Sequence, residues 1–144
     1  MIQEFVDKVR GAEEVLKQGI RDHPPGRDAA GLFRRVVEVL AGEYEGGFFW
    51  DLPDPERIHV IDDGDYQGTQ VLIVGAQGYQ PSNYWAVSWG YGSCGGCDVL
   101  EAICDSETSY DFAAPDDPKA TITERGVQDF YSVMLHMVEG MVAI

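Results

Sequence analysis

Basic residues are scarce in this sequence: ten Lys and Arg stand against 25 Asp and Glu, a formal net charge of −15 in 144 residues. A chain so charged is repelled by a phosphate backbone, so direct nucleic-acid binding is excluded as a function class. Long apolar runs are also missing, since none reaches the roughly 18 to 20 residues that span a bilayer. Glu4, Asp7, Lys8, Arg10, Glu13 and Glu14 interrupt the opening segment, which reads as a helix and not as a signal peptide. Cysteines number only three, two of them in one C-x-x-C. That count excludes a disulfide-dense scaffold and fits a reducing compartment, so a cytoplasmic location is expected. No nucleophile elbow, Walker loop or H-E-x-x-H is present and no dinucleotide fingerprint is expected, which leaves hydrolase, nucleotidyl and dehydrogenase readings without support.

The scarcity of bases is uneven. Met1 to Glu43 carry eight acids and seven bases, whereas the remaining 101 residues carry seventeen acids against Arg57, Lys119 and Arg125 alone. The acidity therefore belongs to the second part of the chain, where it favours solubility or attraction to a basic partner.

Ile2, Phe5, Val6, Val9, Ala12, Leu16 and Ile20 recur at three- and four-residue steps and predict one amphipathic helix over 2–21, weakened at Gly11 and Gly19. His23-Pro24-Pro25-Gly26 breaks it. Asp28 then caps a second helix that buries Ala29, Leu32, Phe33, Val36, Val37 and Leu40 and ends at Gly42 or Gly46, so 1–43 forms a helical hairpin. After a Pro-and-Asp loop from Asp51 to Glu56, three runs rich in Val, Ile, Tyr and Trp read as strands: 58–62, 70–75 and 84–91. Their connections are too short for parallel crossovers, so an antiparallel meander is expected. Alternation puts Trp85, Val87, Trp89 and Tyr91 on one face, which should meet the helices. A short helix follows over 98–104, then an acidic excursion over 105–120 with room for a strand near 110–112. Thr123 caps a last helix from Glu124 to about Val142. The expected fold is α+β in a single domain over 1–144: an antiparallel sheet of three to four strands within 48–105, packed on one face by the N-terminal helical hairpin and the C-terminal helix over 123–144.

Chemistry-bearing residues converge in one stretch, Tyr91-Gly92-Ser93-Cys94-Gly95-Gly96-Cys97-Asp98, where a strand ends and a helix begins. With Asp98 as N-cap, Cys97 lies beside the positive end of the helix, a setting that lowers a thiol pKa and makes the stretch a candidate thiol redox site. Cys94 and Cys97 are also half of a zinc knuckle, to which Cys104 could add a third thiolate and His23, His59 or His136 a distant fourth ligand. No second C-x-x-C completes the set, so neither a metal nor a cofactor is expected. The bland alternative is that the cysteines are small apolar residues packing a Gly-rich turn. Asp62-Asp63-Gly64-Asp65 lacks the length and terminal Glu of an EF-hand loop and reads as a turn. His136 falls on the solvated side of the last helix, and His59 alternates with Ile58 and Val60 as a half-buried strand residue.

The segment WGYGSCGGCDVLEAI resembles a Y-G-S-C-x-G-C-D motif of small, acidic, uncharacterised proteins of bacteriophages and prophages, with Gly95 where that motif more often has Ser. The resemblance covers about 58–105 and the last helix. It implies a phage or prophage origin and no catalytic role. The expected function is a non-enzymatic binding module for a basic host protein, itself a nucleic-acid binder, reached through Asp62, Asp63, Asp65, Asp105, Glu107, Asp111, Asp116 and Asp117. A thiol or zinc site at Cys94 and Cys97, with Tyr91, Ser93, Asp98 and Cys104 around it, is the alternative. A small-ligand pocket is the third reading.

Overall fold

The computed structural model describes residues 2–42, 52–62, 64, 68–78, 83–92, 98–109 and 120–144. The single N-terminal helix expected from periodicity is two: α1 (Ile2–Gly11) and α2 (Glu13–Asp22), hinged at Ala12 with φ −102° and ψ 16°. At the hinge the Ala12 N–H lies 3.1 Å from both the Lys8 and Val9 carbonyls, so the ladder tightens for one turn. Gly11 lowers the cost of that departure because glycine holds helical geometry weakly. Pro24 and Pro25 then separate α2 from α3 (Ala29–Leu40), which stops at Ala41 before either expected glycine. Asp28 occupies the N-cap position of α3 without a side-chain capping bond. The far end of α3 is instead served across space, where Lys8 Nζ donates to the Leu40 and Gly42 carbonyls at 3.0 and 3.2 Å. A cation there complements the negative end of the helix, and the partial burial it requires lowers the Lys8 pKa.

The sheet has four antiparallel strands in chain order: β1 (Pro53–Asp62), β2 (Gly68–Ala76), β3 (Tyr84–Tyr91) and β4 (Val142–Ala143). β1 begins at Pro53, inside the stretch expected to be loop. Its prolines are tolerated because it is an edge strand, and the register shifts between Pro53 and Ile58. Arg57 secures this half by donating to the Ala76 carbonyl at 2.9 Å and pairing with Asp54. His59 is exposed, not half-buried, since it points away from the helices. The fold is thus α+β, and the aromatic alternation of β3 resolves as expected: Trp85, Val87 and Trp89 are buried, with Leu72, Val74 and Ala76 of β2 beside them. Phe5 meets Trp85 edge to face at 5.5 Å between ring centroids.

α4 (Val99–Glu107) runs three residues beyond its expected end, and α5 (Glu124–Glu139) stops short of its own, at Gly140. Met141 stays buried, but Val142 and Ala143 leave helical geometry and pair with Ala86 and Trp85. α5 is the central helix of the layer: α1, α2, α3 and α4 all contact it, and α3 also packs on β1. Val127, Phe130, Met134, Met137 and Val138 form its buried stripe. Arg21 bonds both oxygens of Glu124 at 2.9 Å, and Arg27 pairs with Glu101 and Asp105 of α4 at 3.3 and 3.0 Å. Among the described residues no helix is long and apolar enough to cross a membrane.

Candidate functional site

Asp98 caps α4 as the sequence predicts, and it does more than cap. Its Oδ1 accepts from the Glu101 N–H at 3.1 Å while its Oδ2 accepts from the Gly92 N–H at 3.4 Å, so one buried carboxylate ties the end of β3 to the start of α4. One residue before Gly92, the Tyr91 hydroxyl lies 2.6 Å from Asp62 Oδ1 and 2.6 Å from the Gly64 carbonyl. Donation from Tyr91, then from the Gly64 N–H, holds the Asp62 carboxyl below the usual carboxylate range. The strand-to-helix junction is therefore fixed from both ends. Ser93, Cys94 and Cys97 lie outside the described residues.

Cys104 sits on the buried side of α4, its thiol directed at the Pro25 carbonyl 3.9 Å away. Burial pushes this thiol up to about 11, so at neutral pH it is protonated. A thiolate is what both nucleophilic chemistry and zinc ligation require, and Cys104 is shaped for packing instead. Among the described residues no group of three His, Cys, Asp or Glu side chains could hold a metal ion.

The acids expected to face a partner divide by position. Asp62 ends β1 beside Tyr91, near the N-terminal end of α4, whereas Asp105 and Glu107 stand at the other end of that helix, roughly 13 Å along its axis. Asp105 is engaged by Arg27, and the Glu107 carboxylate accepts from the Thr123 hydroxyl and faces Arg125 at 3.9 Å. Asp63, Asp65, Asp111, Asp116 and Asp117 lie outside the described residues, as does the strand expected near 110–112. The two ends of the acidic excursion do meet: Thr108 bridges Ile122, the Ser109 N–H donates to the Thr121 carbonyl at 3.0 Å, and Thr123 N–H to the Glu107 carbonyl at 2.9 Å.

The feature that sequence reasoning missed is the outer edge of β3. Ile144 N–H donates to the Tyr84 carbonyl at 3.0 Å, which fixes Tyr84, Ala86, Ser88 and Gly90 as the residues whose backbone groups point toward β4. β4 is only two residues long and pairs only with Trp85 and Ala86. Ser88 and Gly90, both exposed, thus have no strand partner on that side among the described residues. Along this unpaired edge runs a groove of about 560 Å³, whose far walls are Val99, His136, Met137, Gly140 and Val142. Val99 and Val142 are 53% and 58% exposed, so the groove offers apolar side-chain contact next to free backbone donors and acceptors.

The expected absence of a dinucleotide fingerprint is corrected by the spacing Gly90-x-Gly92-x-x-Gly95, which fits G-x-G-x-x-G between a strand and a helix. That fingerprint works by presenting a helix N-terminus to a pyrophosphate within a parallel βαβ unit. Here the sheet is antiparallel and the Asp98 carboxylate already occupies the start of α4, so a dinucleotide phosphate would meet a negative charge. No family model, no curated protein and no solved structure matches the chain.

Proposed function

We propose that this protein is a non-enzymatic binding module that captures an extended, basic segment of a partner protein along the open edge of β3. The observation that carries this reading is the pairing of Ser88 and Gly90 on one side only, next to an apolar groove. Strand addition draws affinity from main-chain hydrogen bonds and specificity from pockets for alternate side chains, and this edge supplies both. The partner's charge follows from the chain's own: seventeen acids against three bases after Glu43 attract Lys- and Arg-bearing segments over several ångströms. The motif at Tyr91–Asp98 and its resemblance to phage proteins support a bacterial host protein as the source of the segment. Asp62, whose hydrogen bonds come from the neutral Tyr91, Gly64 and Gln70 donors, keeps its charge to steer it, whereas Asp105 and Glu107 face Arg27 and Arg125 within the chain.

A synthetic peptide alternating Lys and Val tests the reading by titration calorimetry. Binding should weaken as salt rises, because the Debye length falls from ~10 Å at 0.1 M to ~3 Å at 1 M. Ser88→Pro removes one edge N–H at a site where an edge strand tolerates proline, and should abolish binding while the circular dichroism spectrum is retained. Undiminished binding by Ser88→Pro would refute edge capture. The volume of the groove favours a second reading, a small apolar ligand, since about 560 Å³ lies within the usual range for ligand pockets. Such a ligand would bind Ser88→Pro as well as wild type and would be insensitive to salt.

A further inference from the structure

The register of β3 dictates which way a captured residue points. Trp85, Val87 and Trp89 turn toward the helices, and their exposure climbs from 1% to 5% to 9% as the strand runs toward its open end. A strand that continued β4 along this edge would bond through the residues facing Ser88 and Gly90, and the single residue between them would face Trp89. Cross-strand neighbours share a face of the sheet, so that middle side chain enters the groove, whose helix-derived walls are Val99, His136 and Met137. Beyond Ser88 the edge is closed, because Val142 already pairs with Ala86. The two flanking side chains point to the other face, where a Cβ on Gly90 would have no atom within 4 Å.

We propose that the groove is a specificity pocket for one aromatic side chain, carried by the captured segment between two basic residues. The pocket presupposes edge capture and adds which residue that edge selects. Among the described residues no carboxylate lines the groove, so a Lys or Arg in the middle position would give up water without gaining a counter-ion. Basic residues are thus confined to the outward positions, where the open space over Gly90 admits a long aliphatic stem with its charge in water. The size of the groove, about 560 Å³, leaves a valine underpacked and suits a ring. Its lining is matched to one, since the Met137 thioether and the Trp89 indole both make favourable contacts with aromatic rings. The net charge of the chain brings a basic segment to the edge, and the groove then sets its register.

Titration calorimetry of the full chain with the peptides Lys-Ser-Lys-X-Lys-Ser-Lys, at one salt concentration, tests it. Affinity should rise as X changes from Ala to Val to Phe, with Phe at least about tenfold tighter than Ala. The peptide with X as Lys should bind more weakly than the one with Phe, although it adds a positive charge that an acidic chain attracts. Val99→Phe narrows the groove from a position that is 53% exposed, and should bring the ratio of Phe to Ala affinities close to one with unchanged circular dichroism. Val15→Phe, on the exposed side of α2, should keep the wild-type ratio. Equal affinity for the Ala and Phe peptides, or tightest binding by the Lys peptide, would overturn the pocket, and loss of that binding in Ser88→Pro would leave edge capture standing. Binding by none of the peptides would overturn both.

Discussion

On its β2 side, β3 is paired along all eight residues from Tyr84 to Tyr91, whereas on its β4 side pairing stops after Ala86. The two faces of the same strand differ in the same way: Trp85, Val87 and Trp89 are buried under the helices, while Tyr84, Ser88 and Gly90 face away from them and are exposed. One strand thus has a completed side and an uncompleted side in each direction. The completed sides belong to folding, since they are covered by elements whose own sequence patterns demand burial. The uncompleted ones hold unspent hydrogen-bonding and apolar surface, which is what recognition needs.

The largest expected effect breaks the completed side. Trp85→Ala removes a fully buried indole in edge-to-face contact with Phe5 and should cost about 3–5 kcal/mol in denaturant unfolding. Val142→Ser, on the uncompleted face, should change stability by no more than about 0.5 kcal/mol. If the two substitutions proved equally costly, the contrast between the faces would be wrong.

Next in size is Gly126→Ala at the start of α5. A Cβ at this position would lie 2.7 Å from the Glu107 Cβ and 2.8 Å from the Ile122 Cγ1, so the substitution should destabilise by about 1–3 kcal/mol through overpacking, although alanine favours helix. Asp98→Ala should cost about 1–2 kcal/mol, because it leaves both the Glu101 and Gly92 N–H groups without their carboxylate. Protection of the Gly92 amide against exchange should fall in the same variant, which separates loss of the strand-to-helix tie from loss of the cap alone.

Alkaline stability probes the packed side of α4. The folded Cys104 thiol titrates at about 11, above its unfolded value, so the contribution is fully present below the unfolded pKa near 9 and is lost as pH rises through 11. At about 1.4 kcal/mol per pH unit the loss attributable to this group is roughly 2–3 kcal/mol. It should be absent from Cys104→Ala when unfolding is followed from pH 8 to 11. The smallest effect is at Tyr91, where Tyr91→Phe should raise the Asp62 pKa toward the ordinary carboxylate range, read by carboxyl carbon shifts in an acid titration.

Much of the completed side was legible in the sequence because each cue had one physical meaning. Thr123 and Asp98 could be identified as caps from their places before apolar periodic runs, and both accept the backbone bonds expected of them. The period-two alternation over 84–91 named the buried face of β3. Cues with two meanings failed. Val138, Met141 and Val142 continue the helical spacing of α5, so β4 was invisible until Gly140 could be seen to end the helix. Pro53 and Pro55 read as loop, yet an unpaired edge accommodates them. The groove escaped for a different reason. Its walls come from β3, α4, α5 and β4, and Val99, His136 and Val142 each had an ordinary explanation within its own segment. Only the register that stops β4 at Ala86 makes them one site.

Residue-resolved amide hydrogen exchange of the free protein tests the account most directly. Trp85, Val87 and Trp89, bonded toward β2, should exchange with the slow core, while Ser88 and Gly90 should exchange orders of magnitude faster and become protected when the Lys-Val peptide is added. Equal protection of Ser88, Gly90 and their neighbours in the free chain would mean that the edge of β3 is already paired, and would contradict the account.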